Sequence, residues 1–201
     1  MAEITPSTSL EELAAIISQA LESVGILATL SGGAAVSIYT NNRYQSEDLD
    51  FVSSAAAGKL AKAVETLGFV PTESQRLFAH PQTPWLLEFP AGPLAFGKTI
   101  VNAAGIEAIK TVVGPLRVIT PTHCVMDRLA AFVHWNDRQC YDQAIWVAQS
   151  QVIDWKELEG WAANEGMSEE KWPVPVLQRR DPMVLSMTLV ASTRLHPGCS
   201  L

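Results

Sequence analysis

Cysteine, long apolar runs and a basic N-terminus are scarce or missing in this chain, and each shortage excludes a class of protein. The 201 residues include three cysteines, Cys124, Cys140 and Cys199. An odd number at such wide spacing indicates free thiols rather than a disulfide framework. No apolar stretch approaches the ~20 residues that a membrane helix needs. The N-terminus lacks the basic start and apolar run of a signal peptide, so we expect a soluble, cytoplasmic protein with no membrane partner.

Basic charge is also limited. The chain has 14 Lys and Arg against 21 Asp and Glu, a formal net charge of −7. A large, nonspecific nucleic-acid footprint needs clustered Lys and Arg, so the composition argues against one. A single nucleotide or a tRNA end could still bind at a local basic patch. With 48% hydrophobic residues the chain can bury a sizeable core, either as one domain or as a core with a helical appendage.

Two common chemical motifs are missing. The chain contains neither a Cys-x-x-Cys nor a His-x-x-x-His pair, which argues against a zinc site built from its histidines and cysteines. Ser31 adjoins two glycines but lacks the Gly-x-Ser-x-Gly spacing of a hydrolase nucleophile. Zinc-dependent and serine-hydrolase chemistry are therefore poor interpretations of this sequence.

The stretch from residue 25 to residue 52 carries the strongest positive signal. An apolar run, Gly25 to Leu30, predicts a buried strand that ends at Gly32 and Gly33. Two glycines permit a turn with positive φ and leave backbone amides open to a ligand. The segment from Ala34 to Tyr39 suits a short helix, whose N-terminus would favour phosphate. The sequence therefore predicts a phosphate-binding turn.

A second strand follows, with the pattern Asp-Leu-Asp-Phe at residues 48–51. Alternate residues of a strand share a face, so Asp48 and Asp50 point one way while Leu49 and Phe51 point to the core. Adjacent carboxylates repel each other unless a cation lies between them. Mg²⁺ favours one or two protein carboxylates together with substrate phosphate oxygens. Glycine turn and paired acids together predict a site for a nucleoside triphosphate and Mg²⁺.

At these residues the sequence resembles the DNA polymerase β-like nucleotidyltransferase superfamily. The fuller pattern, Gly-Gly-x-Ala from Gly32 and Arg-x-x-Ser-x-Asp-Leu-Asp-Phe from Arg43, is most similar to the AbiEii-like branch of toxin–antitoxin systems. The resemblance implies that Gly32 and Gly33 bind the triphosphate, with Arg43 and Ser46 beside them. It also implies two bound magnesium ions, held by Asp48, Asp50 and a third acid. Gly33 departs from the serine that the superfamily often carries after its first glycine.

Two later residues complete the implied site. Glu88 lies in the apolar segment Leu86–Phe89, the context in which the superfamily places its third metal-binding acid. A structural acid paired at the end of a sheet is the alternative for Glu88. Arg128 stands where the AbiEii-like pattern has a phosphate-binding lysine, and a guanidinium is not interchangeable with an ammonium. A surface arginine paired with an acid is the alternative for Arg128.

The remaining pattern predicts an α/β (α+β) fold, in which a small mixed sheet is flanked by helices and followed by a helical C-terminal part. We expect a nucleotidyltransferase-like core over residues 1–120 and a helical part over residues 121–201. Ser9 with Glu12, Thr120 with Pro121, Asp137 and Asp154 mark helix starts. Gly68 marks a helix end, Ile106–Ile119 a hairpin, residues 173–182 a linker and Met183–Val190 a last apolar segment.

The predicted activity is metal-dependent transfer of a nucleotidyl group from a nucleoside triphosphate to a hydroxyl acceptor. Asp48, Asp50 and Glu88 would be the catalytic, metal-binding acids. Two alternatives stay open. One is a nucleotidyltransferase-like domain that binds a nucleotide or a partner without catalysis. The other is an enzyme that modifies a small molecule rather than a toxin that acts on RNA. An antitoxin partner is implied only by the resemblance.

Overall fold

The computed structural model describes residues 3–167, and its centre is a five-stranded mixed β-sheet. The strands, in sheet order, are β1 (Thr29–Ser31), β2 (Asp48–Val52), β5 (Leu86–Glu88), β4 (Leu77–Ala79) and β3 (Val70–Pro71). Strands β2 and β5 run parallel, and the other neighbouring pairs run antiparallel. Two small antiparallel hairpins follow, β6 (Ala95–Phe96) with β7 (Thr99–Ile100), and β8 (Ile109–Thr111) with β9 (Gly114–Leu116).

Helices flank this sheet, as the sequence predicts. They are α1 (Leu10–Ser23), α2 (Gly32–Tyr39), α3 (Ala57–Glu65), α4 (Pro121–Trp135), α5 (Arg138–Ser150) and α6 (Trp155–Glu165). A mixed sheet flanked by helices, followed by a helical part from Pro121, confirms the predicted fold class. The division of the chain at residue 120 stays a prediction.

The predicted caps explain where several helices begin. Ser9 and Glu12 form a reciprocal capping box at α1. Thr120 accepts a hydrogen bond from the backbone of α4, and Asp137 and Asp154 do the same for α5 and α6. Each satisfies an amide that the first turn of a helix would leave without a partner.

One hydrophobic core joins the sheet to the C-terminal helices. Leu49 and Phe51 of β2 are fully buried and belong to the same cluster as Leu129 of α4, Val147 of α5 and Leu158 of α6. A fully buried side chain of this kind contributes about 1.5–3 kcal/mol to folding. The core side of β2 is therefore held firmly, which positions the two aspartates on its other side.

The first predicted strand is wrong in its extent. The sequence predicted a strand over Gly25–Leu30, but β1 begins only at Thr29. Gly25 has φ +71°, and its amide donates to the Glu22 carbonyl, while the Ile26 amide donates to the Leu21 carbonyl. These donors close the end of α1 and are unavailable to a sheet ladder.

Two further boundaries follow local turn geometry. Asn41 and Asn42 form the predicted turn between α2 and β2, both with positive φ. The hairpin predicted within Ile106–Ile119 is present, but Gly114 begins β9 and the turn falls on Val112 and Val113.

The predicted linker over residues 173–182 and the segment Met183–Val190 lie outside the described residues. Within residues 3–167, no helix combines the length and the apolar character needed to cross a bilayer.

Candidate nucleotide and metal site

Three carboxylates converge on the solvent side of the sheet. Strand β2 alternates half-buried Asp48 and Asp50 with fully buried Leu49 and Phe51. Glu88 lies directly beside Asp50, because β2 and β5 pair in parallel with Asp50 opposite Glu88. One oxygen from each of Asp48, Asp50 and Glu88 lies within 4.8 Å of the others. The chain therefore brings together the three acids that the sequence singles out.

The glycine turn packs directly against this cluster. Gly32 is the first residue of α2 and has φ +66°, a conformation that favours glycine. A Cβ at Gly32 would lie 2.3 Å from Asp50 Oδ2, so no side chain fits there. Among residues 3–167 no side chain caps α2, and the first amides of this helix have no partner within the helix. The turn therefore presents backbone donors beside the carboxylates.

Gly33 is confined by a different neighbour. A Cβ at this position would lie 2.7 Å from Ser46 Oγ and 3.0 Å from Tyr44 Cε1. The space that a serine would need after Gly32 is therefore taken by the loop that leads into β2. This packing accounts for glycine rather than serine at the position after Gly32.

Ser46 orients Asp48 and is itself held by a second serine. Its hydroxyl donates to Asp48 Oδ1 at 3.0 Å, and its amide donates to Ser37 Oγ at 3.0 Å. The buried Ser37 hydroxyl in turn donates to the Gly33 carbonyl at 3.1 Å. This chain of hydrogen bonds ties the glycine turn to the first aspartate. Ser46 is predicted to bind nucleotide, but its hydroxyl donates a hydrogen bond to the Asp48 carboxylate.

Burial and the neighbouring negative charges raise the pKa of Asp50. Burial is the largest cause, and the neighbouring carboxylates of Asp48 and Glu88 add to it, raising the pKa of Asp50 to about 7. The charge of Arg128 acts in the opposite direction. Within residues 3–167, none of the three acids forms an ion pair with a basic side chain. The cluster therefore favours a bound cation.

The donor set fits a hard divalent cation. Carboxylate oxygens are the ligands that Mg²⁺, Mn²⁺ and Ca²⁺ prefer, whereas zinc favours sulfur and imidazole. The Glu88 side chain is exposed, and its carboxylate has no hydrogen-bond or ion-pair partner within the described part of the chain. This agrees better with a ligand open to solvent than with the alternative of a paired structural acid. The residues present fit a magnesium ion.

Arg128 is close enough to affect Asp50 but already has protein partners. Its guanidinium pairs with Asp127, and Nη1 lies 3.4 Å from Gln143 Oε1 and 3.5 Å from Cys140 Sγ. The pair with Asp127 agrees with the alternative in which Arg128 is paired with an acid, although the side chain is mostly buried rather than at the surface. Burial by itself lowers the pKa of the Arg128 guanidinium, but the charge of Asp127 and the hydrogen bond to it, together with Cys140, raise that pKa by more, so the side chain stays cationic.

The structure does not bring Arg43 to the carboxylates. Its guanidinium lies 5.0 Å from the ring centroid of Trp146 and 3.5 Å from Gln149 Oε1, both on α5. Arg43 is exposed, and such a cation–π contact contributes about 0.5–1 kcal/mol.

Sequence reasoning missed Ser37, Tyr44 and Gln143. Ser37 is fully buried in α2, Tyr44 packs on the glycine turn, and Gln143 reaches Arg128 from α5. Ser37 lies four residues after Gly33, the spacing at which a serine hydroxyl bonds back to a helix carbonyl. That spacing is a signal the sequence contained. Nothing local in the sequence indicates Gln143.

The pKa of Asp50 predicts a specific dependence of stability on pH. An unfolded Asp has a pKa near 3.8, against about 7 here. Between these values the folded, metal-free protein keeps a proton that the unfolded chain has released. The contribution of Asp50 to the free energy of unfolding is therefore fully present below pH 3.8 and lost as the pH rises through 7. Urea denaturation at several pH values measures this loss.

Asp50→Asn is the control for this titration. Subtracting its free energy of unfolding from that of the wild type at each pH isolates Asp50 from the other titrating groups. We expect the difference to change between pH 4 and pH 7 and to level off outside that window. A difference independent of pH would contradict the raised pKa.

Comparison with known proteins shows which solved structures share this fold. No protein-family model matches the sequence, and a sequence search of curated proteins gives no significant match. An antigenic nucleotidyltransferase-like protein from Paracoccidioides brasiliensis superimposes with a TM-score of 0.58 at 16% identity, covering 89% of this chain and 96% of that one. The chain has a nucleotidyltransferase-like fold.

A second solved structure agrees. ANT(2")-Ia in complex with adenylyl-2"-tobramycin gives a TM-score of 0.52 at 17% identity, over 80% of this chain and 98% of that chain. At such low identity these likenesses establish the nucleotidyltransferase-like fold and nothing finer. The residues of the site are the basis for inferring which reaction it supports.

Proposed function

We propose that this protein is a metal-dependent nucleotidyltransferase that moves a nucleotidyl group from a nucleoside triphosphate to a hydroxyl acceptor. One observation carries the proposal: three carboxylates within 4.8 Å of one another lie against an uncapped glycine turn. The nucleotidyltransferase-like fold supports it. Membership of the AbiEii-like branch rests on the sequence pattern alone and is part of the proposal.

Each part of the site has a role in this reaction. Asp48, Asp50 and Glu88 would hold Mg²⁺, which when bound neutralises the triphosphate and aligns the attacking and leaving oxygens. Ser46 fixes one oxygen of Asp48, so that carboxylate needs little reorganisation on binding. The amides at the start of α2 would donate to phosphate oxygens. Gly32 allows the turn to approach the carboxylates without a clash.

The two arginines that could neutralise the leaving pyrophosphate both contact protein partners, and this observation favours an alternative function. Arg128 is engaged by Asp127, Gln143 and Cys140, and Arg43 contacts α5. A site whose arginines are held by protein partners also suits a domain that binds nucleotide without transferring it. The two functions differ in turnover and share the metal–nucleotide complex.

The acceptor is proposed by chemistry. The complex of ANT(2")-Ia contains an adenylyl group joined to tobramycin, which supports a small hydroxyl-bearing molecule as the acceptor here. The net charge of −7 also suits a small acceptor better than a long RNA. A toxin acting on RNA, with an antitoxin partner, is the competing proposal from the sequence resemblance.

Label transfer tests the activity. The protein is incubated with Mg²⁺ and each of four α-labelled nucleoside triphosphates, together with total RNA or a panel of small polyhydroxyl acceptors. Transfer of label to any acceptor supports the enzyme, and the acceptor that is labelled decides between small molecule and RNA. Tight nucleotide binding without transfer to any acceptor would favour the non-catalytic domain.

Magnesium and a nucleoside triphosphate together should raise the melting temperature of the wild type. Ligand at 100 times its dissociation constant adds roughly 2.7 kcal/mol to the free energy of unfolding. Neither component alone should do as much, because each would occupy half of a shared site. Differential scanning fluorimetry measures the shift.

Glu88→Gln tests whether the third acid takes part. This change removes the exposed carboxylate and should lower the ligand-induced shift while leaving the unliganded melting temperature unchanged. Glu159→Gln, an exposed acid on α6, is the matched control. Equal shifts in both variants would exclude Glu88 from the metal site. No shift in the wild type with any triphosphate would count against both proposed functions.

A further inference from the structure

Tyr44 lies at the junction of the glycine turn and the carboxylates. It belongs to the loop between α2 and β2, is half-buried and packs against the hydrophobic core. A Cβ at Gly33 would lie only 3.0 Å from Tyr44 Cε1. The Tyr44 ring therefore packs on the glycine turn, the backbone segment that is proposed to bind the phosphates.

Groups of both charges affect the pKa of Tyr44. Burial raises this pKa and the carboxylate of Asp48 raises it further, whereas the charge of Arg128 and a hydrogen bond from the Gln143 side-chain amide to the phenol oxygen lower it. The phenol is thus neutral at physiological pH and keeps its proton.

Other side-chain donors near the turn are already in use. The Ser46 hydroxyl donates to Asp48, and the Ser37 hydroxyl donates to the Gly33 carbonyl. Arg128 directs its guanidinium to Asp127, Gln143 and Cys140. Gly33 supplies no hydroxyl. Tyr44 is the neighbouring side chain whose hydroxyl proton is given to no acceptor among the hydrogen bonds within residues 3–167.

We propose that the Tyr44 hydroxyl donates a hydrogen bond to a phosphate oxygen of the bound nucleoside triphosphate. This inference rests on the proposed function and adds a binding residue outside the sequence pattern. A neutral phenol suits the position, because it supplies a donor beside Asp48 without forming an ion pair that would compete with the metal. Hydrogen bonds to charged groups are stronger than those between neutral groups.

Tyr44→Phe tests the assignment by isothermal titration calorimetry. The probes are Mg²⁺ with inorganic tripolyphosphate, which has no base or sugar, and Mg²⁺ with ATP. We expect Tyr44→Phe to bind both probes about tenfold more weakly than the wild type, as loss of one hydrogen bond to a charged group implies. Tyr141→Phe, which loses a hydroxyl from a ring packed on Phe132, should bind both probes like the wild type.

The outcomes separate this inference from the proposed function. Failure of the wild type to bind either probe would overturn the proposed function and the inference with it. Wild-type affinity in Tyr44→Phe would overturn the inference alone. Weaker binding of ATP with unchanged binding of tripolyphosphate would overturn the phosphate contact, because the hydroxyl would then contact the nucleoside. A lowered unliganded melting temperature with unchanged affinities would make Tyr44 structural and also overturn it.

Discussion

Asp50→Asn should lower nucleotidyl transfer by orders of magnitude while leaving the protein folded. The change keeps the side-chain volume and removes one of three carboxylates that lie within 4.8 Å of one another. It also removes a repelling charge at a half-buried position whose pKa is raised to about 7, so the metal-free variant should be at least as stable as the wild type above pH 7. Loss of activity would then come from lost metal binding.

Label transfer and thermal unfolding, measured on the same preparations, check this expectation. Glu159→Gln on α6 makes the same change of charge on an exposed surface and should leave transfer unaffected. Transfer undiminished in Asp50→Asn would refute the catalytic role given to the carboxylates. Loss of transfer together with a large fall in melting temperature would assign Asp50 to folding instead.

Gly32→Ala should abolish metal and nucleotide binding through a steric effect on Asp50. The new Cβ would lie 2.3 Å from Asp50 Oδ2, and φ +66° is strained for any L-residue with a side chain. The strain alone costs roughly 1–2 kcal/mol. The clash must also displace the Asp50 carboxylate, and a misplacement of about 1 Å can lower catalysis by about two orders of magnitude.

Gly25→Ala separates strain from clash. Gly25 has a nearly equal φ, +71°, but within the part of the chain that the structure describes a Cβ there would meet nothing within 4 Å. We expect both variants to lose free energy of unfolding through backbone strain, as measured by urea denaturation, and Gly32→Ala to lose more because of its clash. Only Gly32→Ala should lose binding of Mg²⁺ with ATP by calorimetry. Normal binding by Gly32→Ala would mean that the turn is not packed on the carboxylate.

Some features behind these predictions depend on local sequence, and others depend on contacts between segments that are distant along the chain. Helix starts at Ser9, Thr120, Asp137 and Asp154 depend on residues within one turn of each cap, so local sequence sufficed to find them. The alternation of Asp48 and Asp50 with Leu49 and Phe51 is equally local, since neighbouring strand residues face opposite sides. The error at Gly25–Leu30 arose because hydrogen bonds closing α1 competed with the strand.

The sequence by itself determined which residue types make up the candidate site: a glycine turn, two acids on one face of a strand, and a third acid in an apolar segment. Tertiary structure alone decided that Glu88 lies beside Asp50, because the parallel pairing of β2 and β5 joins segments distant along the chain. It also decided that Arg128 pairs with Asp127 and Gln143, and that Arg43 contacts α5. Side chains as long as arginine reach several partners, and only the packing of neighbouring helices selects among them.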